Sequence, residues 1–232
     1  MTTPLVQPLS SPSRPWVKLC GVRDAGVAAA LANLKPDAVG FNFYPPSRRF
    51  VEHEVAATIA GLLPAEITRV GVFVDASLDE ILRSAEAVGL TAVQLHGDEP
   101  PETIALLKAR FPTLPVIKAW RVGRDGLSSL AKFLEEAEPI CGRPDAILVD
   151  ANVDGQYGGT GQTAPWHLLR DYDAAWPPLI LAGGLTTANV AAAIAEVDPW
   201  GVDTAGGIER SPGVQDPSLA AAFLEAARGL SA

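Results

Sequence analysis

Two glycine pairs near the carboxyl end of the chain have the type and spacing of a phosphate-binding site. Gly183-Gly184 ends one short apolar run, and Gly206-Gly207 follows the next one. Each pair then opens toward a helix, an arrangement in which backbone N–H groups can surround an anion. Two such turns in tandem predict a clamp for a phosphate group.

The elements that must position these turns are short apolar runs that alternate with helical patterns. Eight such runs occur between residues 16 and 203. Continuous apolar strands alternating with amphipathic helices predict an α/β fold with parallel pairing. Eight units fit a single (β/α)8 TIM barrel over residues 16–232. A doubly wound open sheet is the alternative, but residues 20–25 lack its Gly-x-Gly-x-x-Gly turn.

Local signals predict where several elements begin and end. Helices are expected at 24–34, 52–62, 78–88, 101–110, 127–136, 166–172, 189–197 and 218–228. Asp24 has the side chain of an N-cap, and Pro101 suits a first helical turn. Residues 1–15 contain four prolines and three serines, which predicts a disordered tail.

Polar residues that follow the strands are the candidates for chemistry, because barrels of this kind carry their active sites at the carboxyl ends of the strands. They are Cys20, Arg48, Arg49, Asp75, His96, Arg121, Asp150 and Asp203. The glycine pairs follow strands seven and eight, where such barrels commonly bind phosphate. Fold and motif therefore predict the same location for the site.

Bulk composition argues against several classes of protein. The chain has 232 residues and a net charge of −9, so its field repels nucleic acid and anionic membranes. Two cysteines, Cys20 and Cys141, are too few for a disulfide framework, and three scattered histidines indicate no metal site. No apolar run approaches the roughly 18 residues of a membrane span, and no signal-peptide pattern is present. We expect a cytoplasmic protein that binds neither nucleic acid nor membranes.

Six motifs resemble the phosphoribosylanthranilate isomerase family in order and spacing. They are residues 18–21 (KLCG), 40–50 (GFNFYPPSRRF), 71–74 (GVFV), 93–99 (VQLHGDE), 157–161 (YGGTG) and 181–185 (LAGGL). The resemblance implies a (β/α)8 barrel that needs no cofactor and no metal. It also implies an Amadori rearrangement in tryptophan biosynthesis, from N-(5-phosphoribosyl)anthranilate to 1-(2-carboxyphenylamino)-1-deoxyribulose 5-phosphate.

The resemblance also implies roles for individual residues. Cys20 would be the base, Asp150 the acid, and Arg49 the group that holds the anthranilate carboxylate through two parallel hydrogen bonds. A mobile lid over the substrate would be formed by Gly158, Gly159, Thr160 and Gly161. A thiol with a pKa of about 8.5 is a poor base at neutral pH, so we expect the site to lower the pKa of Cys20, with Lys18 on the same strand face as a candidate influence.

Each of these residue types also has a structural interpretation. A cysteine at a strand end is typical of a buried, small apolar residue. Asp150 also suits a helix cap or a brace for the glycine loop, and Lys18 a buried pair elsewhere. Arg48 has the character of a solvated loop charge, and His96 that of a structural residue or a neighbour of the catalytic groups. Asp203 would repel a phosphate, so we expect it to orient backbone or to pair elsewhere.

Two segments depart from the family pattern. Ala205-Gly206-Gly207 stands where the family commonly has Ser-Ser-Gly. Phosphate binding is therefore predicted to rest on the backbone N–H groups of Gly184, Gly206 and Gly207. Residues 161–166 differ from the lysine, aromatic and acid that many members have after strand six.

Two rival functions are also compatible with the sequence. One is a related histidine-pathway phosphosugar isomerase, which is expected to have an aspartate in place of Cys20 and two opposed phosphate clamps. The other is a non-catalytic barrel that binds a phosphate ligand. The altered turn at 205–207 favours this alternative, whereas the presence of Cys20, Arg49 and Asp150 argues against it. The small-molecule substrate is expected to be phosphorylated, and both a monomer and a homodimer are compatible with the sequence.

Overall fold

The computed structural model describes residues 14–123, 126–151 and 166–229, apart from the side chain of Ala151. Eight parallel strands form a closed barrel in which β8 pairs with β1, so the predicted (β/α)8 fold is confirmed. The barrel strands are β1 Trp16–Cys20, β2 Ala38–Asn42, β3 Thr68–Phe73, β4 Ala92–Leu95, β5 Val116–Val122, β6 Ala146–Ala151, β7 Leu179–Leu181 and β8 Gly201–Thr204.

Seven α-helices and one short 3₁₀ helix accompany the strands within the described ranges. The α-helices are α1 Ala25–Leu34, α2 His53–Leu62, α3 Leu78–Val88, α4 Pro101–Arg110, α5 Ser128–Cys141, α6 Val190–Val197 and α7 Pro217–Arg228. The 3₁₀ helix, Trp166–Leu169, stands where a helix over 166–172 was predicted. None of the helices in the described residues is long and apolar enough to cross a bilayer.

The core has two layers because each barrel strand turns alternate side chains inward and outward. The larger layer packs outward-facing residues such as Val39 and Leu181 against the helices. The smaller layer fills the barrel interior with residues such as Val70, Ile117 and Ile180. Side chains that point into the barrel near the carboxyl ends of the strands are polar. Charged groups therefore lie directly above the smaller apolar layer.

The structure confirms two predicted helix starts and corrects one predicted helix end. The Asp24 side chain accepts a hydrogen bond from the N–H of Val27 at 2.8 Å and caps α1. Pro101 is in the first turn of α4, as predicted. Helix α5 extends past the predicted end at 136 and includes Pro139 in its last turn.

A two-stranded antiparallel hairpin was not predicted. It consists of β9 Glu209–Ser211 and β10 Val214–Gln215 and lies between β8 and α7. Strands of three and two residues are too short to show an alternating pattern, so the sequence carried no strand signal there. Of the predicted disordered tail, the first 13 residues lie outside the described part of the chain.

Candidate active site

A cavity of about 210 Å³ opens at the carboxyl end of the barrel and brings together most of the predicted site residues. Its lining includes Arg49, Asp150, both glycine pairs, Asp203 and Thr204. Cys20 adjoins this site from the end of β1 and is 8% exposed. The predicted lid residues Gly158, Gly159, Thr160 and Gly161 lie outside the described residues.

Cys20 belongs to a buried cluster with Lys18 and Asp203. Lys18 and Asp203 are directly paired across β1 and β8, and the Lys18 ammonium lies 2.6 Å from the Asp203 carboxylate. Lys18 is fully buried, and its ammonium also interacts electrostatically with the Cys20 thiol. Gly40 on the adjacent strand makes room for the thiol, since a Cβ at that position would lie 2.7 Å from Cys20 Sγ.

The electrostatics of this cluster correct one expectation. Burial raises the pKa of the Cys20 thiol, Lys18 opposes this rise, and the Asp203 carboxylate reinforces it. The prediction that the site lowers the pKa of Cys20 is therefore wrong, because desolvation and Asp203 together outweigh Lys18. Burial opposes the charge on Lys18, but Asp203 and the thiol outweigh burial and raise the pKa of Lys18.

Asp150 lies at the end of β6, buried to 6% exposure, with His96 as a neighbour. His96 Nε2 is 3.4 Å from Asp150 Oδ2, and His96 Nδ1 is 2.7 Å from the side-chain amide nitrogen of Gln94. His96 therefore lies beside the candidate acid, one of the two positions the sequence allowed for it.

A second buried ion pair supports the loop that carries His96. Lys118 on β5 donates to Glu99 at 2.9 Å and to the carbonyl of Gly97 at 2.7 Å. Glu99 in turn accepts from the N–H groups of Asp75 and Gly97. Burial lowers the pKa of Lys118, although Glu99 opposes this shift. Neither Lys118 nor Glu99 was a sequence candidate, because the pair joins a loop residue to a strand residue 19 positions further along the chain.

Arg49 reaches the cavity with one side of its guanidinium already paired. Its Nε and Nη2 atoms lie 2.6 Å and 2.8 Å from the two carboxylate oxygens of Glu209 in the hairpin. Burial opposes the Arg49 charge, but Glu209 outweighs burial and raises the pKa of Arg49. Glu209 was missed by sequence reasoning. Arg48, by contrast, is exposed, as its interpretation as a loop charge predicted.

The glycine turns come together at one wall of the cavity. Gly183 and Gly184 have φ of 81° and 64°, a conformation that favours glycine. At Gly207 a Cβ would lie 2.1 Å from the carbonyl oxygen of Leu185, so the two turns approach each other too closely for any side chain.

Backbone donors differ among these glycines. The N–H of Gly207 already donates to the hydroxyl of Thr204 at 3.2 Å, and that hydroxyl donates to the Leu185 carbonyl at 2.8 Å. Within the described residues, the N–H groups of Gly184 and Gly206 donate to no other protein group. The N–H of Gly183, which lines the same cavity, likewise donates to no other group among the described residues, so the glycine turns offer the N–H groups of Gly183, Gly184 and Gly206 to a phosphate.

Fold and site together define a class of protein: a (β/α)8-barrel enzyme with buried ionisable groups and open backbone N–H groups at the carboxyl ends of its strands. The family model described as N-(5'phosphoribosyl)anthranilate (PRA) isomerase matches residues 17–226. The chain belongs to this family, as the sequence motifs predicted.

Individual relatives agree with the family match. The N-(5'-phosphoribosyl)anthranilate isomerase of Symbiobacterium thermophilum is 41% identical, and the alignment covers 93% of this chain and 99% of the relative. The crystal structure of phosphoribosyl anthranilate isomerase from Thermotoga maritima has 36% identity and a TM-score of 0.81, covering 93% of this chain and 100% of that chain. A crystal structure of phosphoribosyl anthranilate isomerase in complex with reduced 1-(o-carboxyphenylamino)-1-deoxyribulose 5-phosphate has 35% identity and a TM-score of 0.79 over the same shares.

Proposed function

We propose that this protein isomerises N-(5-phosphoribosyl)anthranilate to 1-(2-carboxyphenylamino)-1-deoxyribulose 5-phosphate, with Cys20 as the base and Asp150 as the acid. The observation that carries the assignment of roles is the placement of both groups around one barrel mouth, beside Arg49 and the paired glycine turns. The substrate has two anionic ends, a phosphate and a carboxylate. The site offers two separate anion-binding groups for them.

Binding at these two ends orients the sugar between the acid and the base. The phosphate binds to the backbone N–H groups of Gly183, Gly184 and Gly206. The anthranilate carboxylate binds to the N–H groups of Arg49 that Glu209 leaves open. Anchoring both ends reduces the freedom of the ribose, so that the reacting carbons lie in a restricted position relative to Cys20 and Asp150.

The reaction then needs two proton transfers at the sugar. Asp150 gives a proton to the ring oxygen, the bond between C1 and that oxygen breaks, and the nitrogen lone pair forms an iminium ion. The Cys20 thiolate removes the proton from C2, and the electron pair of that bond neutralises the iminium to give an enolamine. Protonation at C1 and loss of the O2 proton give the ketone, so the overall change is an isomerisation without an external oxidant or reductant.

The raised pKa of Cys20 has two consequences for this mechanism. Because burial disfavours the thiolate, only a small fraction of the thiol is ionised at neutral pH. The thiolate that does form is a stronger base than an ordinary one. The Lys18 ammonium beside it, and the positive iminium that forms during the reaction, both favour the ionised sulfur.

The two rival functions have less support. A histidine-pathway isomerase is expected to bind a second phosphate in the opposite half-barrel. The loops after β3 and β4 contain no glycine pair like those that follow β7 and β8. A non-catalytic barrel would have no chemical use for a buried thiol and a buried carboxyl group at one barrel mouth.

Substitution of the two groups tests the assignment. We expect Cys20→Ser and Asp150→Asn each to lower kcat by roughly 100-fold to 10,000-fold, the usual contribution of a general acid or base. Matched controls are Cys141→Ser on α5 and Asp171→Asn on the surface, which should keep wild-type turnover. Near wild-type turnover in both Cys20→Ser and Asp150→Asn would show that other residues carry the reaction. Complementation of a bacterial strain that lacks the isomerase separates an active enzyme from a binding protein.

We place the protein in the cytoplasm. Cys20 and Cys141 are both free thiols, as is usual in a reducing compartment. Fractionation of the source cells, with detection by a specific antibody, checks this location.

A further inference from the structure

The β9–β10 hairpin places two buried polar side chains next to the site that neither phosphate binding nor acid–base chemistry explains. They are Glu209, whose side chain is 5% exposed, and Gln215, which is 4% exposed as a residue. Burying a carboxylate is costly unless it is paired, so the position of Glu209 depends on its partner. That partner is Arg49, the residue proposed to bind the substrate carboxylate.

The contact between Glu209 and Arg49 is bidentate and uses one side of the guanidinium only. Glu209 accepts from Nε at 2.6 Å and from Nη2 at 2.8 Å. A guanidinium has five N–H groups, so three remain, two on Nη1 and one on Nη2. These form a second fork, which can accept another carboxylate in the same plane.

Two further contacts restrict the position of this pair. The Arg49 side chain crosses Gly21, where a Cβ would lie 2.6 Å from Arg49 Cδ. Gln215 donates to the carbonyl of Gly21 at 2.6 Å, and its amide nitrogen lies 3.5 Å from Glu209. Because Gly21 directly follows Cys20, these contacts hold the Arg49 guanidinium in a fixed position relative to the end of β1, which carries the candidate base.

We propose that Glu209 is a positioning residue that sets substrate specificity, holding Arg49 so that its open fork fits a carboxylate ortho to the amine of the substrate. The inference rests on the proposed function and adds the group that selects the aromatic amine. The Arg49–Glu209 pair has no net charge, and substrates that differ only in the position of the carboxylate carry the same charge. Electrostatic attraction alone therefore gives little preference for one isomer over another. The fixed direction of the fork gives that preference.

The test compares two isomeric substrates in enzymes with and without the Glu209 contact. Ribose 5-phosphate condensed with 2-aminobenzoate or with 3-aminobenzoate gives substrates of equal charge that differ only in the position of the carboxylate. The variants are Glu209→Gln, which removes the charge, and Glu209→Asp, which keeps the charge but shortens the side chain. Glu196→Gln is the control, because Glu196 pairs with Arg170 on the surface at 2.9 Å.

The measured quantity is the ratio of kcat/KM for the ortho substrate to kcat/KM for the meta substrate. We expect both Glu209 variants to lower this ratio by about tenfold or more, mainly through KM of the ortho substrate, because a directed bidentate contact is lost. The control should keep the wild-type ratio. A general loss of folded enzyme, or the added positive charge in Glu209→Gln, affects both isomers alike and cancels in the ratio.

A ratio unchanged within twofold in both Glu209 variants would overturn the inference, as would an equal fall in Glu196→Gln. Binding of the reduced ortho and meta product analogues, measured by calorimetry, gives the same comparison without catalysis. Wild-type protein that turns over neither substrate would instead overturn the proposed function. The binding ratio would then still decide whether Glu209 positions Arg49.

Discussion

Replacement of Lys18 by methionine should destabilise the protein and impair the base at the same time. Lys18 is fully buried and lies 2.6 Å from Asp203, whose side chain is 10% exposed. Lys18→Met keeps a long side chain in the barrel but leaves the Asp203 carboxylate without its partner. Removing one member of a buried ion pair typically costs about 3–5 kcal/mol. For a domain of this size each kcal/mol corresponds to roughly 2–4 °C in Tm, so we expect Tm to fall by about 6–20 °C.

The pH dependence of this loss follows from the direction of the pKa shift. The pKa of Lys18 is raised in the folded state, so its stabilising effect is fully present below the ordinary lysine value of about 10.4. It is lost only as pH rises through the higher folded value. The difference in unfolding free energy between wild type and Lys18→Met should therefore be constant between pH 7 and pH 9.

Urea denaturation at several pH values, together with steady-state kinetics, measures both effects. Lys132→Met is the control, because Lys132 forms an exposed pair with Glu136 and should cost less than about 1 kcal/mol. The double variant Lys18→Met, Asp203→Leu removes both charges and should recover much of the stability but not the activity. A single-variant loss below 1 kcal/mol, or a double variant less stable than Lys18→Met, would refute this account of the pair.

Two further predictions follow from the same site. Burial raises the pKa of the Cys20 thiol in the folded protein. The contribution of this thiol to the free energy of unfolding is therefore present below about pH 8.5 and declines as pH rises through the pKa of the folded state. In a Cys141→Ser background, Cys20→Ser should therefore flatten the fall in unfolding free energy above pH 8.5, and an unchanged slope would argue against the shift. Gly207→Ala places a Cβ 2.1 Å from the Leu185 carbonyl, so the turn must shift. Loss of one hydrogen bond to a charged ligand, about 1.5–3 kcal/mol, should weaken inhibition by inorganic phosphate by roughly 10-fold to 150-fold. Gly61→Ala, where a Cβ meets no atom within 4 Å, is the control, and equal phosphate inhibition in both variants would contradict the role of the turn.

The barrel could be predicted because its signals are local. Each strand is a continuous apolar run, and features such as the Asp24 cap and Pro101 act within one helical turn. The glycine pairs were equally visible, since a Gly-Gly pair follows each of two adjacent strands. These features need no knowledge of which distant residues meet.

The partners of the site residues could not be predicted, because they come from distant parts of the chain. Lys18 and Asp203 are 185 positions apart, and Arg49 and Glu209 are 160 apart. The direction of the Cys20 pKa shift depends on such contacts and on burial. The strand motif alone therefore led to the wrong prediction, a lowered pKa. The hairpin that carries Glu209 was missed because its strands are too short for a periodic pattern.

The most direct test of the proposed chemistry is the isomerisation itself, followed by NMR in deuterated buffer with freshly prepared N-(5-phosphoribosyl)anthranilate. We predict that wild-type protein replaces the C1–H signal of the aminoaldose with the signals of a C2 ketone, far faster than the uncatalysed rearrangement. Cys20→Ser and Asp150→Asn should each slow this conversion by roughly 100-fold to 10,000-fold relative to wild-type protein. Ketone formation by wild-type protein at no more than the uncatalysed rate would contradict the assignment of this barrel mouth as an isomerase active site.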